Sequence, residues 1–572
     1  MKWFNLKVFR LAAVCFFTCQ LFITQTLAQW STDPTVNNAI CTDINRQGAC
    51  RIVSDGSGGA IITWWDNNLA TNDYNIYAQR INSAGVIQWT SRGVAICTNS
   101  KHQQNPEITS DGNGGAIIIW FDGRNTKNEI FAQKINSEGV VQWTTDGVSV
   151  GTVPTHYQHS SPEVTSDGSG GAIIIWSDWR KDEFNNEDKA AYAQRISSNG
   201  IIQWGIGGAR LNNISVNGPG SMSIISDGNG GAIAAWDQWV GVYPAGNREI
   251  FAQKVNADGT LSWGAGSLTI CSATDDQAYP YLAGDGTGGA IIVWQDYRSG
   301  SKMNLYAQKV SSGGVIQWAE NGIQVSTKTT NYGRHRMVSD GSGGAIITWP
   351  SNNVIWTQLI NASGLTQWTT DGKAIGSDGI NPHIVSDGTN GAIITWDNTS
   401  GNILAQRVSP AGTDLWKLGG VDVCKNSMNQ WEPDITTDGN GGAIISWNDY
   451  RNDANTSTDI YAQQISANGA LGIVTGIDDN MILTGGSYKL YQNYPNPFKG
   501  VTRIDFKVII PETISLKVYN ITGKEVTTLV NARMEPGDYS VNFNTTGLPA
   551  GVYYYSMKAG LEKVTRTLIL LE

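Results

Sequence analysis

One phrase recurs along the chain: an Asp-Gly turn that runs straight into a short apolar stretch closing on Trp, as in Ser110-Asp-Gly-Asn-Gly-Gly-Ala-Ile-Ile-Ile-Trp120. It occurs eight times, with the turn at Asp55, Asp111, Asp167, Asp227, Asp285, Asp340, Asp387 and Asp438 and the Trp at Trp64, Trp120, Trp176, Trp236, Trp294, Trp349, Trp396 and Trp447. A spacing of 47 to 60 residues belongs to solenoids, propellers and arrays, whose units bury their faces only against one another. Residues 105 to 150 read as four antiparallel strands: Asn105–Ser110, Gly115–Trp120, Glu129–Ile135, and a fourth that opens at Val140-Val-Gln-Trp143 and ends near Val150. Asp-Gly and Gly-terminated turns between alternating apolar runs are hairpin signals.

Counting closes the ring. The Trp of the fourth segment also occurs eight times, at Trp30, Trp89, Trp143, Trp204, Trp263, Trp318, Trp368 and Trp416. The first of these precedes every Asp-Gly turn, while the last repeat, after Tyr461–Ile465, has none. The sequence therefore predicts an all-β fold: an eight-bladed β-propeller of four-stranded antiparallel blades, closed by an N-terminal strand within Trp30–Cys41, followed by a small C-terminal β-sandwich. Closure removes the exposed sheet edges of an open array, and an open solenoid leaves the displaced strand unexplained. The sixteen repeat Trp, and a Gln in every third strand (Gln79, Gln133, Gln194, Gln253, Gln308, Gln358, Gln406, Gln463), read as packing and ladder bonds between blades.

Residues 1–28 carry Lys2, Lys7 and Arg10, an apolar run from Leu11 to Ile23, and Thr26-Leu27-Ala28 before a cleavage point. This is the pattern of a secretory signal peptide. The propeller is expected over 29–474 and a linker over 475–486, with the C-terminal domain at 487–572. No transmembrane segment is expected after signal removal, since no other stretch approaches the roughly 20 apolar residues of a spanning helix. A net charge of -10 with no basic run excludes nucleic acid as a general partner. Cys41, Cys97, Cys271 and Cys424 share one repeat position and read, with Cys50, as small buried residues; Cys41 and Cys50 are the one local pair for a disulfide.

The tail changes composition. Asn493-Tyr-Pro-Asn-Pro-Phe498, Val518-Tyr-Asn-Ile-Thr-Gly523 and Leu548-Pro-Ala-Gly-Val-Tyr553 together resemble the C-terminal sorting domain (type A) of the type IX secretion system. The resemblance covers about 85 residues, with three separated motifs in order. It implies passage over the inner membrane by the signal peptide and recognition of the tail by the type IX secretion machinery, leaving a secreted or outer-surface protein.

Within the propeller, the rim of Asp-Gly turns is nearly invariant from repeat to repeat and reads as scaffold; the opposite rim gathers loops of variable length, where binding residues tend to lie. That rim offers the aromatics Trp65, Trp179, Trp239, Tyr297, Trp431 and Tyr450, and four Asp-x-Arg pairs: Asp122 with Arg124, Asp178 with Arg180, Asp296 with Arg298, and Asp449 with Arg451. Aromatic faces beside charged donors and acceptors suit a sugar, while Asp and Arg two apart also brace a loop. One register of the first strand places Arg51, Glu107, Glu163, Ser223, Tyr281, Arg336, His383 and Asp434 around the mouth of the central channel. The five His open or precede first strands and read as solvated; His156-x-x-His159 has metal-like spacing but lacks a third ligand. No cofactor, metal site or catalytic residue is expected. Ser-Asp-Gly-x-Gly-Gly differs in register from the Ser-x-Asp-x-Gly-x-x-Trp box of sialidase-like propellers, and no Arg triad accompanies it. The function expected is a binding module for an extracellular glycan or protein. The alternatives are a carbohydrate-active enzyme, for which Glu107 and Glu163 are the candidate carboxylates, and a structural envelope protein.

Overall fold

The computed structural model describes residues 30–125, 128–151, 156–181, 187–213, 218–241, 246–300, 303–328, 334–452, 458–472, 488–490, 493, 496, 498–508, 511–521, 523–559 and 562–571. The expected signal peptide and linker lie outside these, as do the side chains of His156 and His159. Eight four-stranded antiparallel sheets follow one another along the chain. In the first blade they are Arg46–Ser54, Ala60–Asn68, Asp73–Ile81 and Val94–Cys97. The eighth contains Gln430–Thr437, Ala443–Asp449 and Asp459–Ile465, and its outer strand is Asn38–Cys41 from the other end of the chain. Asn38 pairs with Ala462 and Cys41 with Ile460.

The recurring phrase is explained residue by residue. Asp55 Oδ1 accepts from the backbone N–H groups of Ser57 and Gly59, each at 2.8 Å, so the Asp side chain caps its own turn. Gly56 and Gly58 take φ of 72° and 83°, open to glycine at no steric cost. A Cβ on Gly59 would stand 2.3 Å from Ile81 O. The apolar run that follows is buried on both faces, with Ile61, Ile62 and Trp64 at 0% exposure, because neighbouring blades cover it from either side. Asp55 Oδ2 is paired with Arg80 at 2.8 Å, and Arg80 Nη1 reaches Ser137 O of the next blade.

Two expectations are corrected here. The segment Val140–Trp143 is not a strand: a single bridge, Ile135 to Val141, is all it forms, and the outer strand is Val148–Ser149. Its Trp is instead a staple to the next blade. Trp30, Trp89, Trp143, Trp204, Trp263, Trp318, Trp368 and Trp416 each donate the indole N–H to a turn carbonyl of the following blade, at 3.0 to 3.3 Å. The repeated Gln works within a blade, not between blades. Gln79 Nε2 donates to Thr90 O and its Oε1 accepts from Trp89 N, bracing the long approach to the outer strand.

The five cysteines among the described residues are free and buried, Cys41 and Cys50 included. His335, expected in solvent, is 1% exposed. Burial, with Arg336 beside it, pushes its pKa down to about 3.

The C-terminal strands form two sheets: Tyr488–Leu490, Val501–Val508 and Gly537–Asn544 in one, and Glu525–Met534, Glu512–Asn520, Gly551–Ala559 and Glu562–Leu570 in the other. Phe498, Phe506, Leu516, Phe543, Tyr555 and Leu568 fill the core between them. The tail motifs are its fixings: Asn493 N donates to the Tyr555 hydroxyl, Asn493 Nδ2 to Thr502 Oγ1, and the Tyr553 hydroxyl to Pro549 O.

Candidate functional site

The channel wall is shaped by a bulge in the inner strand of seven of the eight blades, the sixth (Arg336–Ser339) pairing without one among the described residues. The register breaks between Gly48 and Arg51, Gln104 and Glu107, Ala278 and Tyr281, Ile380 and His383, and Trp431 and Asp434. Ala49, Asn105, Tyr279, Asn381 and Glu432 sit there with φ between 48° and 57°. A bulge re-aims the side chain after it. The residues so placed are opposite equivalent partners: Arg51 faces Thr63, Glu107 faces Ile119, Glu163 faces Ile175 and Asp434 faces Ser446. The structure brings seven of the eight predicted ring residues together: Arg51, Glu107, Glu163, Tyr281, Arg336, His383 and Asp434 line one axial chamber of about 760 Å³, while Ser223, 7% exposed, is not in its lining.

The chamber is electrostatically differentiated. Arg51 Nε lies 2.9 Å and 3.1 Å from the two oxygens of Glu107, and the guanidinium is held charged chiefly by that carboxylate. His383 Nδ1 and Asp434 Oδ1 are 3.0 Å apart. Asp434 also accepts from the amides of Ile52 and Ile435. Burial works against its charge, yet His383, Arg51 and the Ile435 amide hold its pKa below the usual carboxylate range. The Arg336 guanidinium stands 5.2 Å from the Tyr281 ring centroid. Glu163 has no such support. Burial first, and the neighbouring Glu107 charge second, push it up to about 8.

Beside the chamber, sharing Arg334, Asn381 and Glu432 with it, a cleft of about 1040 Å³ opens at the variable rim between the seventh and eighth blades. Its aromatic wall is Trp431, 39% exposed, with Tyr450 at 6.1 Å between ring centroids. Its floor is Asp397, 3% exposed. Asp397 Oδ2 accepts from Asn381 Nδ2 at 3.0 Å, while Oδ1 is buried with no hydrogen-bond partner. Burial pushes this carboxyl up to about 7, against the Asn381 bond.

The other predicted residues fall elsewhere. Asp122, Asp178, Asp296 and Asp449 are at 0% exposure, each paired with its Arg at 2.6 to 2.7 Å. Asp122 Oδ2 accepts the indole N–H of Trp120, and Arg124 Nη2 donates to Asp146 O with its guanidinium 3.8 Å from the Phe131 ring centroid. Arg180, Arg298 and Arg451 stack on Tyr192, Tyr306 and Tyr461 in the same way. These pairs are structural braces, and Arg124, Arg298 and Arg451 also reach the Cys97, Cys271 and Cys424 sulfurs on the outer strand of the preceding blade at 3.2 to 3.4 Å. Trp65 packs edge-on against Tyr74 at 5.1 Å, and Lys189 Nζ is 4.0 Å from the Trp179 ring centroid. Trp239 lies against Gly246, and Tyr297 N donates to Asp276 O. Trp65, Trp179, Trp239 and Tyr297 are on four different blades and do not converge.

Asp397, Asn381, Arg334 and Gln430 were not singled out by the sequence. A signal for Asp397 exists: the residue after the second-strand Trp is Trp65, Phe121, Ser177, Gln295, Pro350 or Asn448 in six repeats but Asp237 or Asp397 in two, and both are carboxyls raised by burial.

Residues 492–571 match the family described as the secretion system C-terminal sorting domain. The protein is thus a type IX secretion cargo, secreted or held at the cell surface. No curated protein sequence matches the chain. Solved structures similar to it include a Penicillium chrysogenum alpha-L-arabinanase, at 10% identity and TM-score 0.34 over 63% of this chain and 92% of that one. The β-propeller domain of the trilobed protease from Pyrococcus furiosus aligns at 9% and 0.37 over 63% and 92%. A polysaccharide lyase, an ulvan lyase, aligns at 10% and 0.40 over 77% and 97%. Among the described residues no helix is long and apolar enough to cross a membrane, and no group of three or more His, Cys, Asp or Glu is placed to hold a metal ion.

Proposed function

We propose that this protein is a glycan-binding propeller, exported with the help of an N-terminal signal peptide over residues 1–28, whose ligand lies in the cleft between the seventh and eighth blades. The observation that carries the reading is the pairing of an exposed Trp431, flanked by Tyr450, with a buried carboxyl oxygen of Asp397 that has no partner. An aromatic face takes the C–H side of a sugar ring, and an unpaired buried acceptor selects a hydroxyl donor. The amides of Asn381, Asn398 and Gln430 complete the lining. The test is a glycan array with the purified mature chain. Binding that falls at least about tenfold in Trp431→Ala, where a stacking contact worth on the order of 1 kcal/mol and its buried area are both lost, supports the reading; equal binding by wild type and variant overturns it.

One observation favours a carbohydrate-active enzyme instead: Glu107 and Glu163 face the same chamber, one held by Arg51 and the other carrying a proton at neutral pH. Release of new reducing ends from a bound polysaccharide, lost in Glu163→Gln, would establish it.

A further inference from the structure

The acids of the axial chamber are unequally occupied. Glu107 is answered by Arg51, Asp434 by His383 and two backbone amides, and Glu432 by Asn448 Nδ2 at 3.3 Å. Neither the Glu163 carboxyl nor the Tyr281 hydroxyl has a hydrogen bond to any described residue. Glu163 is a proton donor at neutral pH, since burial and Glu107 hold its proton on. The space that remains is therefore lined by donors, the Glu163 and Tyr281 O–H groups, with the Arg336 guanidinium stacked on the Tyr281 ring. A lining of donors around committed carboxylates suits an acceptor that brings its own negative charge, because charge-assisted hydrogen bonds are the strong ones.

We propose that the axial chamber binds the carboxylate of a hexuronate residue, so that the glycan recognised in the adjoining cleft is an acidic one. This rests on the glycan reading above and adds a second subsite to it. Glu163 gives the subsite a defined pH dependence. The titratable and charged groups that share the chamber with it are Glu107, Arg51, Arg334, Arg336, Tyr281, His383, Glu432 and Asp434. Below a pH of about 8 Glu163 is protonated and donates to the ligand; as pH rises through that value it ionises and repels a carboxylate. Tyr281 has its pKa raised by burial and stays protonated through this window, while the uronate is ionised throughout.

The experiment is calorimetric titration of the full mature chain with tetragalacturonate and with its methyl ester, at about pH 6.5 and about pH 9.5, on either side of the Glu163 transition. At the lower pH the acid should bind about tenfold more tightly than the ester, the gain expected of one charge-assisted hydrogen bond; at the higher pH that preference should be lost. Glu163→Gln keeps a neutral donor and should hold the preference at both values, with a wild-type urea unfolding midpoint as its control for folding. Trp431→Ala should weaken both ligands alike. Equal binding of acid and ester at the lower pH, or the same pH dependence in Glu163→Gln as in wild type, overturns the carboxylate subsite and leaves the cleft standing. No binding of either ligand overturns the hexuronate subsite, and the cleft is then judged by the glycan array alone.

Discussion

Trp30 offers a direct test of ring closure, because it stands eight positions before the closing strand and precedes every blade turn in sequence. It is 1% exposed, packs with Ile40, Cys41, Ile52 and Trp64, and donates its indole N–H to Ser83 O of the first blade at 3.0 Å. Truncation to Ala removes on the order of 200 Å² of apolar contact. At roughly 25 cal/mol per Å² that is about 5 kcal/mol. The hydrogen bond adds about 1 kcal/mol, since Ser83 O is left to whatever water reaches it. Partial collapse of the cavity brings the expected cost back into the range of about 3–5 kcal/mol measured for Trp and Phe truncations. Trp416→Ala is the internal control: 6% exposed and bonded to Ala467 O at 3.0 Å, it makes the same contact in the middle of the chain. Urea unfolding followed by far-ultraviolet circular dichroism should give the two variants midpoints lowered by similar amounts with unchanged slope. A Trp30 variant that loses less than about 1 kcal/mol while Trp416→Ala loses several would refute the closed ring.

Arg124→Ala should lower stability by about 3–5 kcal/mol, leaving Asp122 buried without its cation, and leave glycan binding untouched; loss of binding at wild-type stability would return the Asp-x-Arg pairs to the ligand surface. His335 sets an acid limit. Its pKa falls from 6.5 in the unfolded chain to about 3 in the fold, so its contribution is fully present above about 6.5 and drains as pH falls toward 3; a His335→Gln variant should show a shallower acid limb in pH-dependent unfolding. The five buried thiols, with pKa pushed up to about 11 or 12 by burial, should resist iodoacetamide in the native protein and all react in denaturant. Deleting residues 488–572 should leave the protein in the periplasm, as read by cell fractionation; its appearance outside the cell would contradict export through the sorting domain.

The fold was legible because the repeat states it eight times and because one Trp is misplaced by a whole chain length. Where reading failed, it failed for want of a third dimension. Val140–Trp143 alternates like a strand, but its Trp is aimed at the next blade; Val148–Ser149, only two residues long, carries no periodicity to find. Asp122 and Arg124 look like a surface pair until the Trp120 indole and the Asp146 carbonyl are seen to converge on them. The channel ring was legible because a single register position generates it. The cleft was not, because Asp397, Asn381 and Trp431 come from two blades and meet only through the bulges at Asn381 and Glu432.

Closure by the N-terminal strand also sets an order of events. Asn37 donates to Val423 O across 386 positions, and Asn38 waits for Ala462, so the first strand to leave the ribosome is the last to find its place. Bringing ends so distant together costs loop entropy that no early contact repays. The sorting domain lies beyond every strand the ring requires. A chain that displays it has therefore already supplied all eight blades, and the export signal doubles as a certificate of completeness.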